Sequence, residues 1–381
     1  MIEEDATYAI YHPAEESAGN EEILSVLKRQ GFREIQISGK GTGIYEVDMR
    51  NPLTVFQNMD TVLKDPFNKN EKILETMDKA YRKLQLALTE LYPGNLVLSF
   101  NSGVMHHKII NMVTRDNGVP SEPTKVRNLG PYMCVPFGKI LRGMAVPNTV
   151  TKTIHTEKRF NPDLRGFRIE EYPYYSPIEN QIRTIKSFAR PVILVDDLLH
   201  KGYRMKELDP ILKKNQVNVS KLVVGLLSGR GKDLMTIQGR EVDSAYFVPN
   251  LRSWFVESSL YPFIGGDGVK REQDTESSLQ ASINLILPYA APSFLEDAPR
   301  SAVYEFSKVC LENARDIFLA LEEEYQNQFR RKLTLSRLSE AVTSPRVPDL
   351  GSYMNYDLNL APSGYLLNGI ERLTRLENII I

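Results

Sequence analysis

Cysteine is scarce: Cys134 and Cys310 are two thiols in 381 residues. Two cysteines cannot build a disulfide framework, and neither stands at metal-ligand spacing from any of the five histidines. Charge of one sign is also lacking. Lys plus Arg is 47 and Asp plus Glu is 48, a formal net charge of −1. A general nucleic-acid coat or a binder of anionic membranes depends on summed positive charge, so neither partner is expected. Apolar runs such as 222–227 are far too short to cross a bilayer. The opening Met1-Ile2-Glu3-Glu4-Asp5 is acidic with no apolar stretch behind it, which predicts a cytoplasmic protein without a secretory leader. Internal repeats and low-complexity blocks are missing too. The scattered histidines assemble no Ser-His-Asp, Cys-His or His-rich metal spacing.

What is present suits a folded chain of two or three domains, with 42% hydrophobic and 25% charged residues. Residues 1–50 read as a small αβ segment. Strand patterns at Thr7-Tyr8-Ala9-Ile10-Tyr11 and Ile44-Tyr45-Glu46-Val47-Asp48-Met49 flank a helical run capped by Asn20, carrying Ile23, Val26 and Leu27, and stopped by Gly31. Residues 51–272 alternate helical and strand patterns, which predicts an α/β domain with a mainly parallel sheet and flanking helices. Ile73, Met77, Tyr81, Leu84 and Leu88 share one face of a helix near 71–91, and Pro93-Gly94 ends it. Stretches 96–100, 192–195, 221–227 and 244–248 read as buried strands. The long polar stretch 148–175 reads as a mobile active-site cover. Residues 273–381 turn helical from about Asp274. There Val303, Phe306, Cys310, Ala314, Ile317, Leu321 and Tyr325 mark one long amphipathic helix whose role is packing.

The strongest chemical signal is Val192-Ile193-Leu194-Val195-Asp196-Asp197-Leu198-Leu199-His200-Lys201-Gly202-Tyr203-Arg204. Four apolar strand residues deliver two adjacent carboxylates to a strand's carboxyl end, and a turn with Gly202 opens onto a helix over 205–214. In open α/β sheets ligands bind at that edge. Carboxylates accept hydrogen bonds from sugar hydroxyls, while turn amides and a helix start suit a phosphate. A ribose carrying a 5′-phosphate fits both halves.

This run resembles the phosphoribosyl-pyrophosphate motif of type I phosphoribosyltransferases: an apolar strand, two acids, three variable residues, Thr or Ser, Gly, any residue, then Thr. The strand, Asp196, Asp197 and Gly202 stand at the family's offsets. Lys201 and Arg204 replace its hydroxyls, and both could hold a phosphate with a different fit. The resemblance implies a sheet of phosphoribosyltransferase type over roughly 215 residues, a ribose held by Asp196 and Asp197, and a 5′-phosphate held by Leu198, Leu199, His200, Lys201, Gly202, Tyr203 and Arg204. It further implies a pyrophosphate loop at Asn101, Ser102 and Gly103 after a first core strand at 96–100. It implies a flexible hood at 148–175 whose Lys152, Lys158 and Arg159 meet pyrophosphate, and magnesium bridging the pyrophosphate oxygens. Trp254-Phe255 and 260–265 resemble the base-stacking end of purine-type members, core packing being the other reading. Separately, Leu27-Lys28-Arg29-Gln30-Gly31-Phe32 with the strand at 45–49 resembles the end of a GNAT acetyltransferase. That family's cofactor loop is absent, so no acetyl transfer is expected, and a longer multidomain polypeptide is implied.

The leading expectation is a glycosyltransferase-class enzyme of nucleotide metabolism. Its ligand is a phosphorylated ribose, magnesium its cofactor, and a homodimer its assembly. The alternatives are a ligand sensor that keeps the fold without turnover and a segment of a larger enzyme. Two features stay open. Ser228-Gly229-Arg230-Gly231-Lys232 is either a second anion nest or an ordinary Gly-rich turn. Lys201 and Arg204 either face an anion, which would offset the partial positive charge of a helix start, or pair with neighbouring acids such as Glu207.

Overall fold

The computed structural model describes residues 8–11, 34–36, 43–125, 129–138, 141, 144–270, 279–349 and 356–380. The expected helix from Asn20 to Gly31 and the expected boundary at 272 lie outside them. Two compact units emerge, Asn101–Leu251 and a second formed by Met1–Phe100 with Arg252–Ile381. No helix among the described residues is long and apolar enough to cross a membrane.

In the second unit a long strand, Gly43–Gln57, pairs antiparallel with Tyr8–Tyr11 and Glu34–Gln36 and parallel with Ser253–Val256, and it also pairs with Asn95–Asn101. The helix Glu71–Leu91 begins where the Asn70 side chain accepts a hydrogen bond from the Ile73 amide at 3.1 Å. Its face of Ile73, Met77, Tyr81, Leu84 and Leu88 is buried as the periodicity predicts. That face packs on the helix Arg300–Phe329, which also receives Pro362–Ile380. Residues 51–100 therefore belong with the C-terminal helices and not with 101–251, and one strand runs unbroken across position 50. The expected division at 50 gives way because two long amphipathic stripes far apart in sequence bury one another. Phe255, Tyr261 and Phe263, read as a base-stacking end, are core residues of this unit.

The unit Asn101–Leu251 is an α/β layer structure. Its elements are α1 (Ser102–Asp116), β1 (Met133–Pro136), β2 (Val150–Thr151), β3 (Thr156–Phe160), β4 (Phe167–Glu171), α2 (Ile178–Ser187), β5 (Val192–Leu199), α3 (Tyr203–Lys214), β6 (Val219–Ser228), α4 (Gly229–Gln238) and β7 (Val242–Val248). The strands β7-β6-β5-β1-β2 form one sheet in that order, every pair parallel. Buried strands in such a sheet read as continuous apolar runs, as Val192–Val195 and Leu222–Val224 do. Counted along the chain, the order is 2-1-3-4-5, so the connections reverse direction between β1 and β5.

The strand 96–100 is not part of this sheet. It pairs with Gly43–Gln57 in the other unit, so the sheet's first strand is Met133–Pro136 instead. Helix α1 still packs on β6 and β7. The polar stretch 148–175 contains a β-hairpin, β3 with β4, registered Thr156↔Glu171 and Phe160↔Phe167.

Candidate functional site

The site is built where the strand order reverses, at the carboxyl ends of β1 and β5. Strand β5 outruns β1. The last pair is Pro136↔Val195, and the Phe137 amide donates to the Val195 carbonyl at 2.9 Å. Asp196 and Asp197 follow immediately, inside the strand, with Asp196 opposite Val224 of β6. Both are buried, at 1% and 8% exposure. Leu198 and Leu199, expected in the phosphate loop, are strand residues as well. Leu199 belongs to the core, and the loop proper is His200–Gly202. Pairing with β6 as far as Leu227 is what extends the strand past the point where its own apolar pattern stops.

Two buried carboxyls side by side either keep a proton or take a cation as partner. Arg204, in the first turn of α3, provides it. Its Nη1 donates to Asp196 Oδ1 and, at 3.4 Å, to Asp197 Oδ1. Asp196 Oδ1 also accepts the Asp197 amide at 2.9 Å. Arg204 therefore folds back onto the acids and does not face outward from the turn. Burial pushes the Asp196 carboxyl well above its ordinary range, Arg204 pulls it down, and the Asp197 charge adds to the rise. Arg204 titrates above its ordinary value: burial opposes its charge, and the two carboxylates outweigh that.

Glycines shape the surroundings. A Cβ on Gly138, just past β1, would collide with Asp196 Oδ1 and lie 2.8 Å from Asp197 Oδ1 and 2.9 Å from Arg204 Nη1. Gly138 thus lies directly against the acid–base cluster. Sequence reasoning missed Gly138; the signal was the run Pro136-Phe137-Gly138 at the end of a four-residue buried strand. Gly202 adopts φ 66° at the N-cap of α3, a left-handed conformation that favours glycine, and no side chain caps that helix.

Around the turn the charge is positive. His200 is half-buried, and its pKa is lowered by burial and by the charges of Lys201 and Arg230. Lys201 itself is exposed. Arg230 comes from the Gly-rich run at 228–232, which has a packing role of its own. Ser228 Oγ accepts the Gly231 amide and donates to the His200 carbonyl, both at 3.1 Å, and a Cβ on Gly231 would collide with the Leu199 carbonyl.

The hood candidates sit on the hairpin. Lys158 Nζ lies 4.4 Å from the Phe160 ring centroid and 4.5 Å from that of Phe167, over both rings. Phe167 meets Tyr203 of α3 edge-on at 5.0 Å, so the hairpin packs beside the start of that helix. Arg159 Nη1 stands 3.8 Å from Glu170 across the hairpin. Lys152 is exposed between β2 and β3, its amide bonded to the Cys134 carbonyl. Thr156 Oγ1 donates to the Phe137 carbonyl at 2.7 Å, which ties the hairpin to the loop after β1.

The expected pyrophosphate loop has a local task. Asn101 caps α1 by accepting the Val104 amide at 3.2 Å, Ser102 is buried, and Gly103 is exposed. Met105 of that helix packs against Gly225 of β6, where an added Cβ would collide with its Sδ and lie 2.7 Å from the Asp197 carbonyl oxygen. Cys134 is buried, and that burial pushes its thiol up to about 12.

Among the described residues, no group of three or more His, Cys, Asp and Glu side chains could hold a metal ion. Arg204 already occupies the one adjacent carboxylate pair of the site, so this donor set does not fit a protein-held magnesium.

No family model and no curated protein compared with the chain matches it. Among solved structures, the structure of the AQ2163 protein from Aquifex aeolicus matches at 16% identity, over 51% of this chain and 86% of that chain, with a TM-score of 0.25. A likeness that distant carries no argument about fold or function.

Proposed function

We propose that the unit Asn101–Leu251 binds a phosphorylated ribose as a phosphoribosyltransferase-like module, phosphoribosyl pyrophosphate being the ligand of the enzymatic reading. The observation that carries the reading is the adjacent pair Asp196–Asp197, buried at the carboxyl end of β5 where the strand order reverses. The carboxylates accept the ribose hydroxyls. The turn His200–Gly202, with Lys201 and Arg230 nearby, holds the 5′-phosphate. Phe137 and Gly138, just past β1, take the role expected of 101–103. Magnesium belongs to the ligand's pyrophosphate oxygens in this reading, because the protein offers it no ligand set of its own. In an enzyme of this kind the protein orients the reactants and stabilises separating charge at the anomeric carbon.

A second reading has its own support. Arg204 neutralises the carboxylates that would favour positive charge on the sugar ring, which suits a sensor that binds without turnover.

Calorimetric titration with phosphoribosyl pyrophosphate and magnesium tests binding; no heat at millimolar ligand would remove both readings. Pyrophosphate release then separates enzyme from sensor. Asp197→Asn is expected to weaken the titrated affinity by about 1–3 kcal/mol with the fold intact, the range for one charge-assisted hydrogen bond. Parent-like affinity in that variant would make the pair structural. Ligand is also expected to slow amide exchange across the hairpin 156–171, because Phe167 already rests on Tyr203 beside the phosphate turn. Exchange that ligand leaves unchanged would make the hairpin a packed insertion.

A further inference from the structure

We propose that Arg204 gates this site: in the ligand-free protein its guanidinium stands where the sugar hydroxyls bind, and a 5′-phosphate draws it off Asp196 and Asp197. The inference rests on the phosphorylated-ribose reading above and adds how that site chooses its ligand.

Arg204 is poorly settled in its present position. A guanidinium fixed as a structural partner commonly offers two parallel N–H groups to one carboxylate. Here a single nitrogen, Nη1, serves both acids, and Nε is buried with no acceptor. A buried donor without a partner is disfavoured, and an added oxyanion would satisfy it. The contrast with Arg240 in the same unit is direct. Arg240 donates through Nε at 3.0 Å and Nη2 at 2.7 Å to Asp209, a pair with no such unused donor.

The destination is close. Arg204 lies two residues past Gly202, and the turn before it gathers Lys201 and Arg230 close enough to His200 to shift its titration. A phosphate dianion at that turn meets the cations Lys201 and Arg230. Moving the guanidinium onto the phosphate would satisfy Nε and take Nη1 off Asp196 Oδ1 and Asp197 Oδ1. A neutral sugar has no means of doing this. Its hydroxyls would have to displace a charge-assisted pair from a buried position, with no anion to receive the released cation.

Phosphate and hydroxyl recognition are then coupled through one side chain, and the coupling is reciprocal. The substrate class that follows is the pentose 5-phosphate, with the unphosphorylated pentose rejected by the closed arginine and not by shape.

Calorimetry on the full chain tests this with ribose 5-phosphate, ribose, and ribose in saturating inorganic phosphate, on the parent and on Arg204→Gln and Arg204→Lys. The parent is expected to bind ribose 5-phosphate, to give no heat with ribose alone, and to bind ribose at least tenfold more tightly once phosphate is present. Arg204→Gln is expected to bind ribose without phosphate and to lose at least tenfold in affinity for ribose 5-phosphate. Arg204→Lys, which keeps the charge but has no Nε, is expected to fall between them. Unchanged affinity for ribose 5-phosphate in Arg204→Gln, or ribose binding by the parent without phosphate, overturns the gate while leaving the ribose-phosphate reading in place. A parent that binds no ribose 5-phosphate overturns that reading, and the gate with it. Should Arg204→Gln fail to fold, the Arg204 Nε–Hε resonance of the parent decides: it is expected to shift and gain protection on adding ribose 5-phosphate, and an unmoved resonance in the bound protein overturns the gate.

Discussion

Replacing Gly138 by alanine is expected to destabilise the unit Asn101–Leu251 by about 3 kcal/mol, the combined scale of overpacking and of disturbing a buried ion pair. The added methyl would collide with Asp196 Oδ1, and it would come within 3.0 Å of Asp197 Oδ1 and Arg204 Nη1. None of the three can retreat cheaply. Asp196 is fixed by its place in β5 and by the Asp197 amide, and Arg204 is held by both acids. The loop itself is tethered by the Phe137 amide on Val195 and by Thr156 Oγ1 on the Phe137 carbonyl. Relief therefore requires either lifting the loop or breaking the acid–base cluster, and both expose or orphan buried polar groups. Gly364→Ala is the control. It sits in the helix Pro362–Ile380 with nothing within 4 Å of a new Cβ. Alanine there is expected to stabilise by roughly 0.4–1 kcal/mol through the unfolded chain. Denaturant unfolding of the two variants and the parent measures both effects. A Gly138→Ala protein as stable as the parent would mean that Gly138 can shift away from the carboxylates at little cost.

Several elements of this chain are legible from residue pattern because they depend on local rules. The face of Glu71–Leu91 follows helical spacing, and the buried strands β5 and β6 are nearly continuous apolar runs. The Asp196–Asp197 pair with Gly202 announces a strand end that opens onto a helix, and α3 begins there. What the pattern hides is partnership. Nothing in Leu96–Phe100 says that it pairs with Gly43–Gln57 and not with β5, since both sheets accept the same apolar strand. Strand β1 escapes notice because Met133–Pro136 is only four residues long and ends in proline. The hairpin escapes because Lys158, Arg159 and Arg168 give a polar reading, although the turn residues Asn161, Pro162, Asp163 and Gly166 mark a reversal. Arg204 is the most instructive case. Its departure from the family motif is visible in the sequence, yet its direction depends on which charge lies nearest once α3 is set against β5. The acids seven and eight residues upstream win over both solvent and Glu207.

Glu257→Gln is expected to remove a large pH dependence of stability from the unit that contains it. Glu257 opens the short helical turn after the strand Ser253–Val256 and is 1% exposed. Its Oε1 accepts from the Tyr261 hydroxyl at 3.3 Å, while Oε2 is buried with no partner. The Tyr261 hydroxyl in turn accepts from Asn313 Nδ2 at 3.2 Å. Among the described residues no cation pairs with the carboxyl, and burial pushes it up to about 8 from 4.5; the Tyr261 hydrogen bond lowers it, the charge of Asp60 adds to the rise, and a backbone hydrogen bond from Asn58 lowers it slightly. The direction of the linkage follows from proton counts. Below pH 4.5 the folded and unfolded chains both hold the proton, and no penalty exists. Between 4.5 and 8 the unfolded chain releases it while the folded chain keeps it, so stability falls as pH rises, and above 8 the loss levels off. The interval between those two values corresponds to about 5 kcal/mol at full extent. Glutamine keeps the shape and cannot ionise, so the variant should match or slightly trail the parent at pH 5 and exceed it by several kcal/mol at pH 8.5. Unfolding curves at pH 5, 6.5 and 8.5 measure the difference between the two proteins, which cancels the other titrating groups they share. A difference that stays constant with pH would mean that Glu257 is already ionised in the folded protein. A carboxylate charged in that position would need a cation within reach of Oε2.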